Sequence, residues 1–182
     1  MEETRAPSSP AGAPHATGQI VQVSVSPGGV PKLPIPGADL GPLGLTGDAH
    51  RDTRHHGGPE RAVCLYTLER IEALRAEGHP IFPGAIGENL TVSGLDLATL
   101  VPGVRLGIGD AVALEITGYA NPCENIAPYF ADGKSTRVSV KLHPGWSRVY
   151  ARVLQGGYVT PGQPIRILAD APADADPAEA RA

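Results

Sequence analysis

Cysteine and aromatic residues are both scarce in this chain of 182 residues. It has two cysteines, Cys64 and Cys123, and aromatics make up 4% of it. Two cysteines are too few for a disulfide framework, which excludes the small stapled folds of oxidising compartments. A basic excess is also missing: 15 Lys and Arg face 19 Asp and Glu, for a net charge of −4. That balance gives no overall electrostatic footprint for nucleic acid. No stretch approaches the roughly 20 apolar residues of a membrane-spanning helix. Met1 to Gly18 lacks the basic start and apolar run of a signal peptide. The expectation is a cytoplasmic protein with neither a nucleic-acid nor a membrane partner.

Turn-forming residues, by contrast, are abundant. There are 23 Gly and 19 Pro, and hydrophobic residues make up 41%. Such a composition favours short strands joined by tight turns over a helical bundle. The length suits one domain with a sizeable core. Residues 1–17, rich in Pro, Ala and Ser, read as a disordered leader. The Ala, Asp and Pro run at 170–182 reads as a disordered tail. The ordered domain is expected at 18–169.

Strand signals recur inside that span. Gln19 to Ser26 alternates polar and apolar residues and stops at Pro27-Gly28-Gly29. Ala62 to Tyr66 is a compact apolar run. Ala111 to Thr117, Arg137 to Leu142, Arg148 to Leu154 and Pro164 to Leu168 are further candidates. One helix is well marked, with Thr67 as its cap, Leu68, Ile71 and Leu74 as its apolar stripe, and Gly78 as its stop. A second, shorter helix is expected after Cys123. The fold class that follows is mainly β, a β-barrel-like domain with a few packed helices.

Five segments are weighed for chemistry. Cys123, in Asn121-Pro122-Cys123, sits where a strand ends and a short helix begins, and free backbone donors there favour the reactive thiolate. The plain alternative is a small packing residue. Cys64, flanked by apolar side chains, reads as a core cysteine on a strand. Gly47 to Gly58 is the densest polar stretch. It holds Asp48, His50, Arg51, Asp52, Arg54, His55 and His56, in a spacing that matches no structural-zinc pattern. It is either a solvated loop or a loop that meets an anionic ligand. Lys141, His143 and Arg148 gather around a Pro-Gly turn and suit a phosphate, or else form an ordinary basic surface loop. The Gly84 to Leu90 stretch lacks the Lys-Ser/Thr of a phosphate-binding Walker loop and reads as a tight turn, with Glu88 and Asn89 bonding backbone.

The order and spacing of these segments resemble the MOSC domain, named for the C-terminal domain of molybdenum cofactor sulfurases. The resemblance runs through Gly44-Leu45-Thr46-Gly47-Asp48, His56-Gly57-Gly58, Arg61-Ala62-Val63, Gly87-Glu88-Asn89-Leu90, Leu106 to Asp110 and Asn121-Pro122-Cys123. Two positions depart from it: Ala120 stands where many relatives have Arg, and Gly162-Gln163 replaces the usual Gly-Asp.

The resemblance implies a molybdenum–pterin cofactor, with Cys123 either ligating molybdenum or carrying persulfide sulfur. It implies an oxidoreductase acting on N-hydroxylated bases or related small molecules, served by an electron-donor reductase. The other implied role is a non-enzymatic sulfur or cofactor carrier using a Cys123 persulfide and a sulfur-donor protein. Asp48, Arg51, His56, Asn121, Lys141, His143 and Arg148 are the expected cofactor-binding residues. Pyridoxal phosphate is not expected, because the sulfurases bind it on a separate aminotransferase-like domain.

Overall fold

The computed structural model describes residues 17–49 and 57–168. Eleven strands are assigned among them: β1 (Thr17–Val25), β2 (Leu33–Ile35), β3 (Ala38–Gly41), β4 (Gly44–Leu45), β5 (Val63–Thr67), β6 (Leu90–Ser93), β7 (Arg105–Ile108), β8 (Val112–Tyr119), β9 (Val149–Gln155), β10 (Gly157–Val159) and β11 (Pro164–Ile167). The one α-helix of the described residues, α1 (Leu68–Ala76), follows β5 directly.

Seven strands close into a barrel in the order β11-β7-β8-β9-β5-β6-β1, shut by antiparallel pairing of β1 with β11. β2 hangs on the outside of this ring, paired to β1. A small second sheet runs β10-β3-β4. The fold is thus mainly β, as expected. Most pairings are antiparallel. β5 and β6 are parallel, which requires a crossover, and α1 supplies it.

Period-two alternation explains most of the core. In β8, Val112, Leu114 and Ile116 are buried while the residues between them are less so. In β1 the inward residues are Ile20 and Val23, three apart. A register irregularity between Ile20 and Gln22 against β6 accounts for the extra residue. Leu65, Val149, Ala151 and Ile165 are all fully buried in the same cluster.

Helix α1 packs Ile71 and Leu74 inward, and Gly78 takes φ +92° just beyond its end. Thr67 does stand at its N-cap, but its side chain makes no capping bond.

One expected strand is absent. Arg137 to Leu142 contains a 3-10 turn at Ser135–Val138, followed by further turns. Its apolar alternation does not become pairing because its side chains are used elsewhere. Arg137 reaches across to Glu77 with bonds of 2.9 and 2.6 Å. Its guanidinium also lies 3.6 Å from the Trp146 ring centroid, with Arg70 4.4 Å from the same centroid. Val138 is buried between these contacts and the core.

Candidate functional site

Alternation also decides which side chains leave the barrel core. Val63 and Leu65 of β5 point inward, so Cys64 between them points to the opposite face. Cys64 is paired across the strands with Tyr150 of β9, and Val63 with Ala151. Cross-strand partners share a face, so Cys64 and Tyr150 stand side by side. Arg148, two residues before Tyr150, lies on that face too.

Over this face lies a cavity of about 370 Å³. Its wall includes Cys64, Tyr150 and Arg148 from the strands, and Cys123, Asn125 and Ile126 from the segment after β8. Lys32 and the Gly28-Gly29 turn come from the segment after β1. Cys123 caps a short 3-10 turn, Glu124–Tyr129, where the short helix was expected. It is partly buried against the core. Both cysteines therefore face one cavity, although they lie 59 positions apart in the chain.

Polar contacts fix this wall from behind. Asp48 accepts bonds from the Ser26 N–H at 2.9 Å, from Asn89 Nδ2 at 2.9 Å and from Lys32 Nζ at 2.5 Å. The Asp48 and Lys32 side chains are 2% and 7% exposed. Asn89 also holds the backbone of Cys64 at both ends: its Oδ1 accepts the Cys64 N–H at 3.1 Å, and its own N–H donates to the Cys64 carbonyl at 2.8 Å. Arg148 is buried and donates to the backbone carbonyls of Ile86 and Asn121. Gly87, beside it, has φ +93°, and a Cβ there would come within 3.0 Å of Val30 Cγ1.

Among the described residues, the cavity wall carries three cationic residues, Lys32, Arg61 and Arg148, and no carboxylate. Asp48 lies behind the wall and offsets Lys32. Glu88, fully buried, feels the positive charge of Arg148 from within. Burial pushes its carboxyl above the usual range, against a 2.7 Å bond from the Gly84 N–H. Burial likewise pushes the Cys64 thiol up to about 11, with Arg148 and Lys32 acting against the shift. The Tyr150 phenol rises to about 12, chiefly by burial. Among the described residues, Arg148 Nε and Glu88 Oε2 are the buried side-chain atoms with no hydrogen-bond partner. Arg148 Nε is thus a buried donor without an acceptor on a guanidinium whose other nitrogens are bonded.

The expected site residues separate into four groups. Cys123 and Arg148 meet at the cavity. Asp48 stands behind the wall, and Asn121 is exposed, meeting Arg148 through its carbonyl. Lys141 and His143 are exposed and do not line the cavity. Arg51, His56, His50, Asp52, Arg54 and His55 lie outside the described residues. Among those described, no group of three or more His, Cys, Asp or Glu side chains is gathered to hold a metal ion. Sequence reasoning missed Lys32, Arg61, Asn125 and Tyr150, and placed Cys64 only in the core. For Cys64 a signal existed, since a strict two-residue alternation sends it away from Val63 and Leu65.

Comparison with known proteins gives consistent relatives. A sequence model of the MOSC domain matches residues 52–166. The chain is 33% identical over 123 residues to the uncharacterised protein YflK of Bacillus subtilis, covering 67% of this chain and 54% of that protein. It is 31% identical over 130 residues to a protein named "Reductase" from Gibberella moniliformis, covering 69% of this chain and 22% of that protein. The matches thus span about half or less of these relatives' lengths. In fold it is similar to YuaD from Bacillus subtilis, with a TM-score of 0.69 and 21% identity over 85% of this chain and 97% of that one. It is also similar to YiiM from Geobacillus stearothermophilus, with a TM-score of 0.67 and 24% identity over 83% of this chain and 75% of that one.

Proposed function

The chain belongs to the MOSC domain family, and from that footing we propose that its cavity holds a molybdenum–pterin cofactor and reduces N-hydroxylated bases or related small molecules. The observation that carries this reading is the meeting of Cys123 with the buried cation Arg148 in one cavity that, among the described residues, no carboxylate lines. The donor set fits the group. A thiolate is a soft donor suited to a metal that binds sulfur, and a cationic wall suits a terminal phosphate.

In this reading Cys123 ligates the metal. Arg148, held by its bonds to the backbone of Ile86 and Asn121, brings its positive charge to the phosphate end. Lys32 and Asn89, both held by Asp48, keep the Cys64 wall in place. Asn125 offers an amide to the substrate. Bound there, the cofactor supplies the two-electron oxygen-atom chemistry. The overall change is R–NHOH + 2e⁻ + 2H⁺ → R–NH₂ + H₂O, with electrons from an outside reductase. The protein orients the substrate and shields it from bulk water.

The test is elemental and pterin analysis of the full chain made in a host that produces the cofactor, with turnover measured on a hydroxylamino-purine. Stoichiometric molybdenum and repeated turnover, both lost in a folded Cys123→Ser variant, support the proposal. One event per chain with a persulfide mass on Cys123, and no molybdenum, would instead make it a sulfur carrier. Full activity in Cys123→Ser overturns both.

A further inference from the structure

Cys64 is the residue whose position changes most between sequence and structure. It sits on a fully buried strand, yet it is absent from the core cluster that includes its neighbours Val63, Leu65 and Tyr66. Its sulfur belongs to the cavity wall instead. Two features make that wall rigid. Asn89 clamps the Cys64 backbone from both sides. Tyr150 stands opposite it in register, and the Arg61 guanidinium lies 5.7 Å from the Tyr150 ring centroid. Behind Cys64, Val63 and Leu65 are fully buried, so the wall cannot retreat to admit a larger side chain. Arg148, a cation 6% exposed, lines the same cavity beside Cys64 and Tyr150.

We propose that Cys64 and Tyr150 contact the bound ligand, and that Cys64 is a specificity-determining residue whose small side chain sets how far a ligand reaches past Cys123. The identity of that ligand rests on the function proposed above; the wall itself does not. Cys64 is a second sulfur in the site, but not a second nucleophile, because burial keeps it protonated at neutral pH. It presents a small, soft, apolar surface. In a rigid pocket one added or missing methylene changes discrimination by roughly 10–200-fold.

The test uses the full chain from a cofactor-producing host, with Cys64→Val, Cys64→Ala and Tyr150→Ala beside the wild type. Melting temperature, molybdenum and pterin content, kcat and KM are measured, the last two on a bicyclic hydroxylamino-purine and a monocyclic amidoxime. Cys64→Val is expected to raise KM for the bicyclic substrate by about ten-fold or more relative to the monocyclic one, with a smaller change in kcat. Cys64→Ala and Tyr150→Ala should shift the same ratio the other way. If Cys64→Val does not fold, the two alanine variants carry the test. Variants that change melting alone, with the KM ratio of the wild type, overturn the proposal.

If the wild type binds no molybdenum, the proposed function fails and the wall is tested on the apo protein. Methyl methanethiosulfonate at pH 9.5 transfers its methylthio group to a thiolate and releases methanesulfinate. Cys64 lining an open cavity should be modified in the folded state, and faster in Tyr150→Ala. Modification of Cys64 only at the rate of global unfolding overturns the inference.

Discussion

Replacing Asp48 by Asn tests how the cavity is held. The substitution keeps the shape of the side chain and removes its charge. Lys32, 7% exposed at its side chain, is then left buried with its ammonium facing a neutral amide. Asn89 and the Ser26 N–H also lose a charged acceptor. Removing one partner of a buried ion pair costs about 3–5 kcal/mol. For a domain of this size each kcal/mol lowers Tm by about 2–4 °C, so a drop of about 6–20 °C is expected. Adding Lys32→Met removes the stranded charge and should restore most of that loss. The assay is a calorimetric melt of the single and double variants, read as a double-mutant cycle. An Asp48→Asn protein that melts within about 2 °C of the wild type would refute the reasoning. So would a double variant no more stable than the single one.

Three further outcomes follow from the same geometry. Stability should fall as pH rises from about 9 to 11, because the folded state holds the Cys64 proton after the unfolded chain has released its own. Two pKa units there correspond to roughly 3 kcal/mol. A Cys64→Ser variant, followed by denaturant melts across that range, should flatten the slope; an unchanged slope contradicts the burial argument. Iodoacetamide at pH 8 should label the partly exposed Cys123 well before Cys64, and peptide mass spectrometry that finds the reverse order would exchange their roles. Gly87→Ala places a Cβ 3.0 Å from Val30 and 3.6 Å from Arg148 Nη1 at a left-handed φ. It should lower stability by about 1–2 kcal/mol and weaken anion binding, measured by phosphate titration. Lys141→Ala should leave that titration as it was.

What the sequence makes legible follows the range of the interactions involved. β8 alternates over Val112 to Ile116, and α1 carries its own stripe and stop, so local pattern identifies them. Cys123 is readable because a Pro-fixed turn at a strand end is a local feature. The 137–142 segment misleads because its alternating Val residues mimic a strand, while Arg137 is committed to Glu77 and Trp146 at long range. Lys32 was illegible for the same reason. Only the folded chain brings Asp48 onto it and turns it toward Cys64 and Cys123. The loop before Gly57, read as rich in possible ligands, lies outside the described residues apart from its first positions. Of these, Asp48 proves to brace the wall rather than line it.

The ring that closes through Thr17 and Arg166 also governs when this protein can become itself. Those two positions are 149 residues apart, and chains are made at roughly 5–20 residues per second. The first strand therefore waits about 7 to 30 seconds on the ribosome before its last neighbour exists. During that interval one of its edges is an unpaired row of amides, a template for aggregation. Folding that depends on so distant a contact is intrinsically slow. The cavity inherits the delay, since it draws on residues from Gly28 to Tyr150. Any ligand of that cavity therefore meets a complete wall only after β9 has been made.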